Sequence, residues 1–189
     1  MSNYKFKMPT KSSLKSRTST ISNAFAMSIT PFIRPTKSEI ADLYKTLQIN
    51  DGQCAYCLGK CNSVDHLHPL VTGGNPTGYI TNINNLVPCC SSCNSSKGKK
   101  AFEDWYLSDK NIARLLAEGL SREQIQDRYE IIVAFAKKVD EPLDYKAILG
   151  DDLWNEYLKR KADLNKALQD NQLFCDKLNK IIMKKLGED

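Results

Sequence analysis

Four of the seven cysteines stand in two pairs of identical spacing, and this arrangement constrains the fold more than any other feature of the chain. Cys54 and Cys57 form one C-x2-C pair, Cys90 and Cys93 form the other, and 32 residues separate the pairs. A C-x2-C turn holds two thiolates on one side of a tight loop, so two such turns supply the four sulfurs of a tetrahedral zinc site. The spacing therefore predicts a structural zinc ion that brings the ends of residues 54–93 together.

The remaining cysteines leave the choice of zinc ligands open. Cys61 and Cys89 lie close enough in sequence to replace one of the four, so the ligand set depends on the spacing rule alone. A redox C-x-x-C is disfavoured because no strand-to-helix context surrounds either pair. Cys175 lies on an apolar helical stripe and is expected to be a small apolar filler. Four thiolates leave no position for water, so any chemistry is expected between the pairs.

Positive charge is concentrated in the first half of the chain. Residues 1–100 hold 12 Lys and Arg against 4 Asp and Glu, whereas residues 101–189 hold 15 against 18. A basic half of this kind is typical of a protein that binds a polyanion such as nucleic acid. No apolar run reaches the ~20 residues that a membrane span requires, so we expect a soluble, cytoplasmic protein with no membrane partner.

Composition divides the chain into three parts. Residues 1–35 contain many Ser and Thr residues and no acidic residue, which predicts a flexible basic arm, either a strap on phosphates or a solvated tail. Residues 36–107 begin with the capping-box spacing of Thr36 and Glu39 and continue as a helix, short extended pieces and further short helices. Residues 108–189 are predicted to be mainly helical and to contact substrate, a partner or a second copy.

Two helices are predicted in that last part. Ser121 caps one that extends to about Val139. A longer helix, or two helices, is predicted from Asp151 to about Leu186, where apolar residues recur at helical spacing. This stripe is expected to pack on the same chain, with a helix-mediated oligomer or partner interface as the alternative. Its residues are Leu153, Tyr157, Leu164, Leu168, Phe174, Leu178, Ile181 and Ile182.

Both histidines of the chain lie inside the segment that the zinc would close. Asp65, His66 and His68 fall within four residues, and Asn94 follows Cys93 directly. Zinc ligation at Cys93 would carry Asn94 towards the strand that holds the histidines. A carboxylate, two imidazoles and an amide are thereby expected to lie near one another.

At these residues the sequence resembles the HNH endonucleases of the ββα-metal superfamily. The resemblance covers about 45 residues, and its motifs occur in the family order. The matching pattern is Cys54-x-x-Cys57, Val64-Asp65-His66-Leu67-His68-Pro69-Leu70, Gly73-Gly74, and Asn85-Leu86-Val87-Pro88-Cys89-Cys90-x-x-Cys93-Asn94-x-x-Lys97-Gly98.

The resemblance implies a role for four residues. His66 is the general base that takes a proton from water, and Asp65 and Asn94 hold one Mg²⁺ or Mn²⁺ ion. Asn85 positions His66, with the adjacent Asn84 as the alternative. The chemistry agrees, because imidazole is a suitable base at neutral pH and a hard cation on oxygen ligands stabilises charge on a phosphodiester.

Two points stay open around His66. In a regular strand Asp65 and His66 point to opposite faces, whereas His66 and His68 share one, so either the strand bends or His68 lies nearer the reaction. The other point concerns the basic residues, which either contact nucleic-acid phosphates or form a solvated face. These candidate phosphate contacts are Lys97, Lys99, Lys100 and His68.

We therefore expect an α+β fold, with a small ββα-metal nuclease core and a structural zinc, an N-terminal helix and a mainly helical C-terminal region. The expected function is metal-dependent hydrolysis of phosphodiester bonds in DNA, with RNA not excluded, in restriction or phage defence. A non-catalytic, zinc-stabilised nucleic-acid-binding or adaptor module is the alternative. An ATPase or other effector subunit of a defence complex is an expected partner, and a homodimer would let one site per chain cut both strands.

Overall fold

The computed structural model describes residues 8–187, which contain seven α-helices and four short strands. The helices are α1 (Thr18–Met27), α2 (Lys37–Thr46), α3 (Ser91–Lys97), α4 (Phe102–Tyr106), α5 (Asp109–Ala117), α6 (Arg122–Ala136) and α7 (Tyr145–Leu186). The strands are β1 (Ser63–His66), β2 (Val71–Thr72), β3 (Asn75–Pro76) and β4 (Leu86–Cys89). The predicted α+β class is confirmed. None of the helices within residues 8–187 is both long and apolar enough to cross a membrane.

A β-β-α unit forms the centre of the molecule. Strands β1 and β4 pair antiparallel, with Asp65 opposite Val87 and His66 opposite Leu86. Helix α3 follows β4 directly and packs on β1. The long loop between the strands contains the β2–β3 hairpin, whose turn has positive φ at Gly73 and needs glycine's freedom there.

An aromatic cluster packs this unit against the following helices. Tyr56 and Tyr106 are fully buried, and Trp105 is nearly so. The rings of Tyr56 and Trp105 meet edge to face at 5.1 Å, and the Tyr106 hydroxyl donates to the Tyr56 carbonyl at 2.8 Å. These rings belong to the core, where aromatic pairs stabilise packing, and they are not free to stack on bases.

Both predicted capping boxes are confirmed. The Thr36 side chain accepts from the Glu39 backbone while Glu39 bonds back, and Ser121 and Gln124 do the same at the start of α6. Helix α7 starts earlier than expected, at Tyr145, and is interrupted by non-helical geometry at Gly150. Helix α5 was not expected.

The flexible arm expected over residues 1–35 differs from the structure, which forms helix α1 there. Ala26 is fully buried against the β2–β3 region, and the Ser22 hydroxyl donates to Asn165 of α7 at 2.9 Å. The Phe25 ring stacks on Tyr157 at 5.1 Å. Composition missed this helix because small residues fit it between two neighbours with little large apolar surface. Residues 1–7 lie outside the described part of the chain.

Helix α7 also departs from expectation, because its apolar stripe is only partly covered. Tyr157 is buried, and Leu164 and Leu168 are half-buried on the side of α1. Leu153 and the large apolar residues beyond Gln172 are exposed, contrary to the expected packing on the same chain. The exposed apolar residues of the final turns are Leu173, Phe174, Leu178, Ile181, Ile182, Met183 and Leu186.

The segment before α7 lies against the loop between β3 and β4. The Leu143 amide donates to the Gly78 carbonyl at 2.9 Å. A Cβ atom at Gly78 would stand 2.5 Å from the Leu143 carbonyl oxygen, closer than such atoms can approach. Gly78 is therefore required for this contact between two backbones.

Arg128 of α6 joins three parts of the fold. Its side chain is buried and donates to the carbonyls of Ala55 at 2.9 Å, Leu47 at 2.7 Å and Gln48 at 3.3 Å. One guanidinium thus satisfies the end of α2 and the turn that carries the first cysteine pair. Without it those acceptors would be buried with no donor.

We predict that Arg128→Met lowers the free energy of unfolding by about 3 kcal/mol, because it leaves buried carbonyls without their charged donor. Chemical denaturation monitored by circular dichroism measures this change. Arg122→Met, at the exposed start of the same helix, is the matched control and should change stability by less than about 0.5 kcal/mol. Equal stability of the two variants would contradict the role assigned to Arg128.

Candidate active site

The four paired cysteines form a cluster. The sulfur atoms of Cys54, Cys57, Cys90 and Cys93 all lie within 4.8 Å of one another. Those of Cys57 and Cys90 are 3.8 Å apart, and a tetrahedral site with zinc–sulfur bonds of about 2.3 Å also requires about 3.8 Å between sulfurs. The donor set and its spacing fit a zinc ion, and the expected grouping of these four cysteines is observed.

Hydrogen-bond donors surround the sulfurs of the cluster. Hydrogen bonds among the cysteines lower the pKa of Cys54 and raise those of Cys57 and Cys93, so the negative charge is held first on Cys54. Cys90 caps the start of α3, where its sulfur accepts from the Cys93 amide at 3.3 Å. Arg114 of α5 donates to the Cys93 sulfur, also at 3.3 Å. Donors aimed at the sulfurs stabilise the charge that metal ligands carry.

The other cysteines lie outside the cluster. The Cys61 thiol donates to the carbonyls of Ser63 and Cys89, at 3.3 and 3.2 Å. Cys89 is fully buried in the core, and burial raises its pKa, so it remains a thiol. Cys175 is exposed on α7 and is not the apolar filler that we expected.

Asp65 is a buried carboxylate at the end of β1. Its Oδ2 accepts from the Tyr56 hydroxyl at 2.7 Å and pairs with the Lys97 ammonium at 2.9 Å. Lys97 also donates to the His66 carbonyl at 2.9 Å. Burial, followed by the adjacent Asp65 charge, raises the pKa of Tyr56 well above its usual value, so this phenol stays protonated and donates.

His66 lies beside Asp65 on the wall of an open cavity of about 230 Å³. His66 Nε2 and Thr81 Oγ1 form a hydrogen bond of 2.9 Å. Burial lowers the pKa of His66, an effect that Asp65 opposes. The imidazole is therefore neutral near pH 7, as a general base must be. Although strand alternation places Asp65 and His66 on opposite faces, β1 ends here and both border the same cavity.

Asn85 fastens the loop after β1. It is almost completely buried, accepts from the His68 amide at 2.8 Å, and donates to the carbonyls of His68 at 3.1 Å and Ile80 at 3.0 Å. These contacts fix the backbone that immediately follows His66. The His68 ring stacks on Tyr79 at 4.3 Å and lies outside the cavity shared by Asp65 and His66.

Asn94 lies on α3 beside β1. Its amide nitrogen donates to Ser63 Oγ at 2.9 Å and to the Val64 carbonyl at 3.3 Å. It does not border the cavity of Asp65 and His66. The structure thus brings two of the four expected site residues to one cavity and places Asn94 on the neighbouring helix and Asn85 in the loop.

A family model for HNH endonuclease matches residues 54–100, the stretch that contains the cysteine cluster, Asp65, His66 and Asn94. We refer to residues 54–100, which match this family model, as the HNH domain. The chain is also similar to the crystal structure of the Type II-C Cas9 enzyme from Actinomyces naeslundii, at 16% sequence identity and a TM-score of 0.32. That similarity covers 68% of this chain and 16% of the Cas9 chain. No curated protein matches the sequence.

One of the expected phosphate contacts in the HNH domain is wrong. Lys97 is not available to nucleic acid, because its side chain is 0% exposed and pairs with Asp65. The last turn of α3 packs on β1, which directs this long side chain inward under the strand. Lys99 and Lys100 are exposed, and Lys99 borders the cavity of Asp65 and His66.

Sequence reasoning missed four residues that contribute to the site. Thr81 and the hydroxyl of Tyr56 contact His66 and Asp65 from distant positions in the chain, and no local pattern marks either one. Asn23 and Met27 of α1 border the cavity from outside the HNH domain. The absence of acidic residues from residues 1–38 was the available signal that this segment lies near a site for anions.

We predict that Cys57→Ser and Cys90→Ser each lower the zinc content from about one ion per chain and lower the melting temperature, because metal binding at a structural site contributes folding free energy. Elemental analysis and thermal unfolding measure both. Cys61→Ser and Cys175→Ser serve as controls and should keep their zinc. Full occupancy in the first two variants, or loss in Cys61→Ser, would contradict the ligand set.

Proposed function

We propose that the protein is a metal-dependent nuclease that hydrolyses phosphodiester bonds in DNA, with RNA as a second substrate class to be tested. The observation that carries the proposal is the pairing of Asp65 and His66 on one open cavity inside an HNH domain. A carboxylate and a neutral imidazole that border one open cavity are the groups that metal-assisted hydrolysis needs.

His66 is the proposed general base. His66 Nε2 and Thr81 Oγ1 share a hydrogen bond of 2.9 Å. In the tautomer in which Nε2 donates this bond, Nδ1 is the basic nitrogen that takes a proton from water. Asn85 supports this role through the backbone of the next loop, because it fixes His68 on both its amide and its carbonyl. Asn85 is thus a positioning residue.

Asp65 and Asn94 are the proposed ligands of Mg²⁺ or Mn²⁺. Tyr56 and Lys97 occupy Oδ2 of Asp65, which leaves Oδ1 as the ligand atom, and Asn94 offers its amide oxygen. When bound, the cation supplies positive charge to the phosphate and to the departing oxygen. Lys97 Nζ lies 2.9 Å from Asp65 Oδ2, so a positive charge accompanies this buried carboxylate.

One observation favours the alternative of a non-catalytic nucleic-acid-binding or adaptor module. Lys97 already neutralises Asp65, and Asn94 lies away from the cavity. A protein that binds nucleic acid without cutting it would need no more than the zinc site and the basic surface. Turnover therefore decides between the two functions.

We predict that the zinc-loaded protein nicks supercoiled plasmid with Mg²⁺ or Mn²⁺ and that His66→Ala lowers the rate at least about 100-fold, the usual contribution of a general base. Gel analysis of the plasmid measures the rate. His68→Ala, the only other histidine substitution, should cost less than about 10-fold, because a lost phosphate contact weakens binding alone.

Zinc content and circular dichroism should match the unsubstituted protein in both variants. DNA binding without cutting under either metal supports the adaptor function. A larger loss in His68→Ala than in His66→Ala would assign the base to His68.

We also propose a cytoplasmic role in restriction or phage defence beside an ATPase or another effector subunit, which the family resemblance supports. Expression of the unsubstituted protein and of His66→Ala in a phage-sensitive host compares their plaque counts directly.

A homodimer formed through the end of α7 is the proposed assembly. Seven apolar side chains beyond Gln172 are exposed there. The final turns carry Lys177, Lys180, Lys184 and Lys185, whereas Asp163, Asp170 and Asp176 precede or overlap them. Antiparallel pairing of the final turns brings Asp176 of one copy near Lys184 of the other, whereas parallel pairing would oppose lysines to lysines. Two copies would supply one HNH site for each strand.

We predict that light scattering gives twice the 21.3 kDa chain mass and that the double substitution Leu178→Glu, Ile182→Glu gives the single mass. Burying two carboxylates in an apolar interface is unfavourable, so the dimer should dissociate. Asn155→Glu, which adds a charge to an exposed position elsewhere on α7, is the control and should leave the dimer intact. A single mass for the unsubstituted protein at micromolar concentration would contradict this assembly.

A further inference from the structure

Helix α1 is held firmly against the HNH domain from outside it. Ala26 packs with Leu70 and Val71, and a Cβ atom at Gly74 would touch Ser22 Cβ at 3.0 Å, so the helix rests on the glycine turn of the β2–β3 hairpin. On its other side the Ser22 hydroxyl donates to Asn165 of α7. The helix is therefore fixed in place between the hairpin and α7.

This placement creates a groove with two adjoining cavities. The first, of about 230 Å³, contains Asp65 and His66. The second, of about 520 Å³, extends along α1 to Lys15 and past the glycine turn. Asn23 and Lys99 border both cavities and so form the passage between them. The groove leads from the proposed cutting site to the beginning of α1.

The groove has the chemistry of a phosphate path. Lys99 and Lys15 stand along it, and hydroxyl groups of Thr18 and Ser19 line the second cavity. Among the described residues that border the two cavities, Asp65 is the one acidic residue. Lysine, hydroxyl and amide side chains are the groups that contact phosphate and sugar oxygens without reading base sequence.

We propose that this groove binds the sugar–phosphate backbone of one nucleic-acid strand on one side of the bond that is cut. The inference rests on the proposed function, because it identifies Asp65 and His66 as the cutting end. Lys99 contacts the backbone nearest to the cut, and Lys15 contacts it farther along. Helix α1, which lies outside the HNH domain, thereby becomes part of the substrate-binding surface.

Salt-dependent binding tests this path independently of cutting. Fluorescent single-stranded and duplex DNA of one sequence are titrated with the His66→Ala protein, which keeps the groove. Each phosphate contact contributes about 0.7 for a single strand or about 0.9 for a duplex to the slope of log K against log salt. Lys15→Gln and Lys99→Gln should each lower the slope by that amount and weaken binding about 5- to 8-fold at 0.1 M salt.

Lys110→Gln on α5 is the matched control, because Lys110 is exposed and borders neither cavity. It should leave both the slope and the affinity unchanged. The slope is measured separately for the single strand and for the duplex. The substrate whose slope falls in Lys15→Gln and Lys99→Gln is the one that occupies the groove. Zinc content and circular dichroism of each variant confirm that the fold is intact.

The outcomes separate the groove from the nuclease function. If the unsubstituted protein cuts DNA and Lys15→Gln binds as Lys110→Gln does, the groove is overturned and the nuclease function stands. If Lys15→Gln and Lys99→Gln lower the slope of log K against log salt but the unsubstituted protein never cuts, the groove stands as a binding path and the nuclease function fails. If the slope is unchanged in all three lysine variants, the phosphate path is overturned for both substrates.

Discussion

The four-sulfur cluster is the constraint on which the rest of the structure depends. It joins the turn at Cys54 and Cys57 to the first turn of α3, at Cys90 and Cys93. Since β1 and β4 lie between these points, the cluster sets where α3 crosses the strands, and so where Asp65 meets Lys97. A domain with two short paired strands has little sheet to hold this arrangement alone, and a metal on the four sulfurs would add folding free energy by closing both ends.

Local patterns predicted the parts of the fold that depend on neighbouring residues. The cysteine spacing identified the metal cluster, and the capping boxes at Thr36 and Ser121 identified two helix starts. Both signals arise within a few residues, so the sequence displays them directly. The α+β class followed from short extended pieces between helical segments, together with the HNH resemblance.

Tertiary packing decided what the sequence could not show. The sequence suggests that Lys97 is an exposed basic residue. In the structure α3 packs on β1, and the Lys97 side chain points inward to Asp65. Helix α1 looks like a solvated arm, but the absence of a side chain at Gly74 lets Ser22 approach the hairpin. The opposite difference occurs at α7. The spacing of its apolar residues predicts burial, but no described residue covers the apolar side chains of its final turns. For Lys97 and for α1 the deciding contact comes from more than thirty residues away in the sequence.

The contact at Gly78 ties the HNH domain to a segment outside residues 54–100. The backbone of Leu143 approaches Gly78 so closely that a methyl group on Gly78 would not fit. In the loop that contains Gly78, the Asn82 side-chain amide donates to Asp140 at 2.9 Å. Asn85, three residues farther along, holds the backbone next to His66. The segment before α7 therefore supports the loop between β3 and β4, which contains Asn82 and Asn85. Trimming the protein to its recognisable motif would remove that support while keeping every residue of the motif.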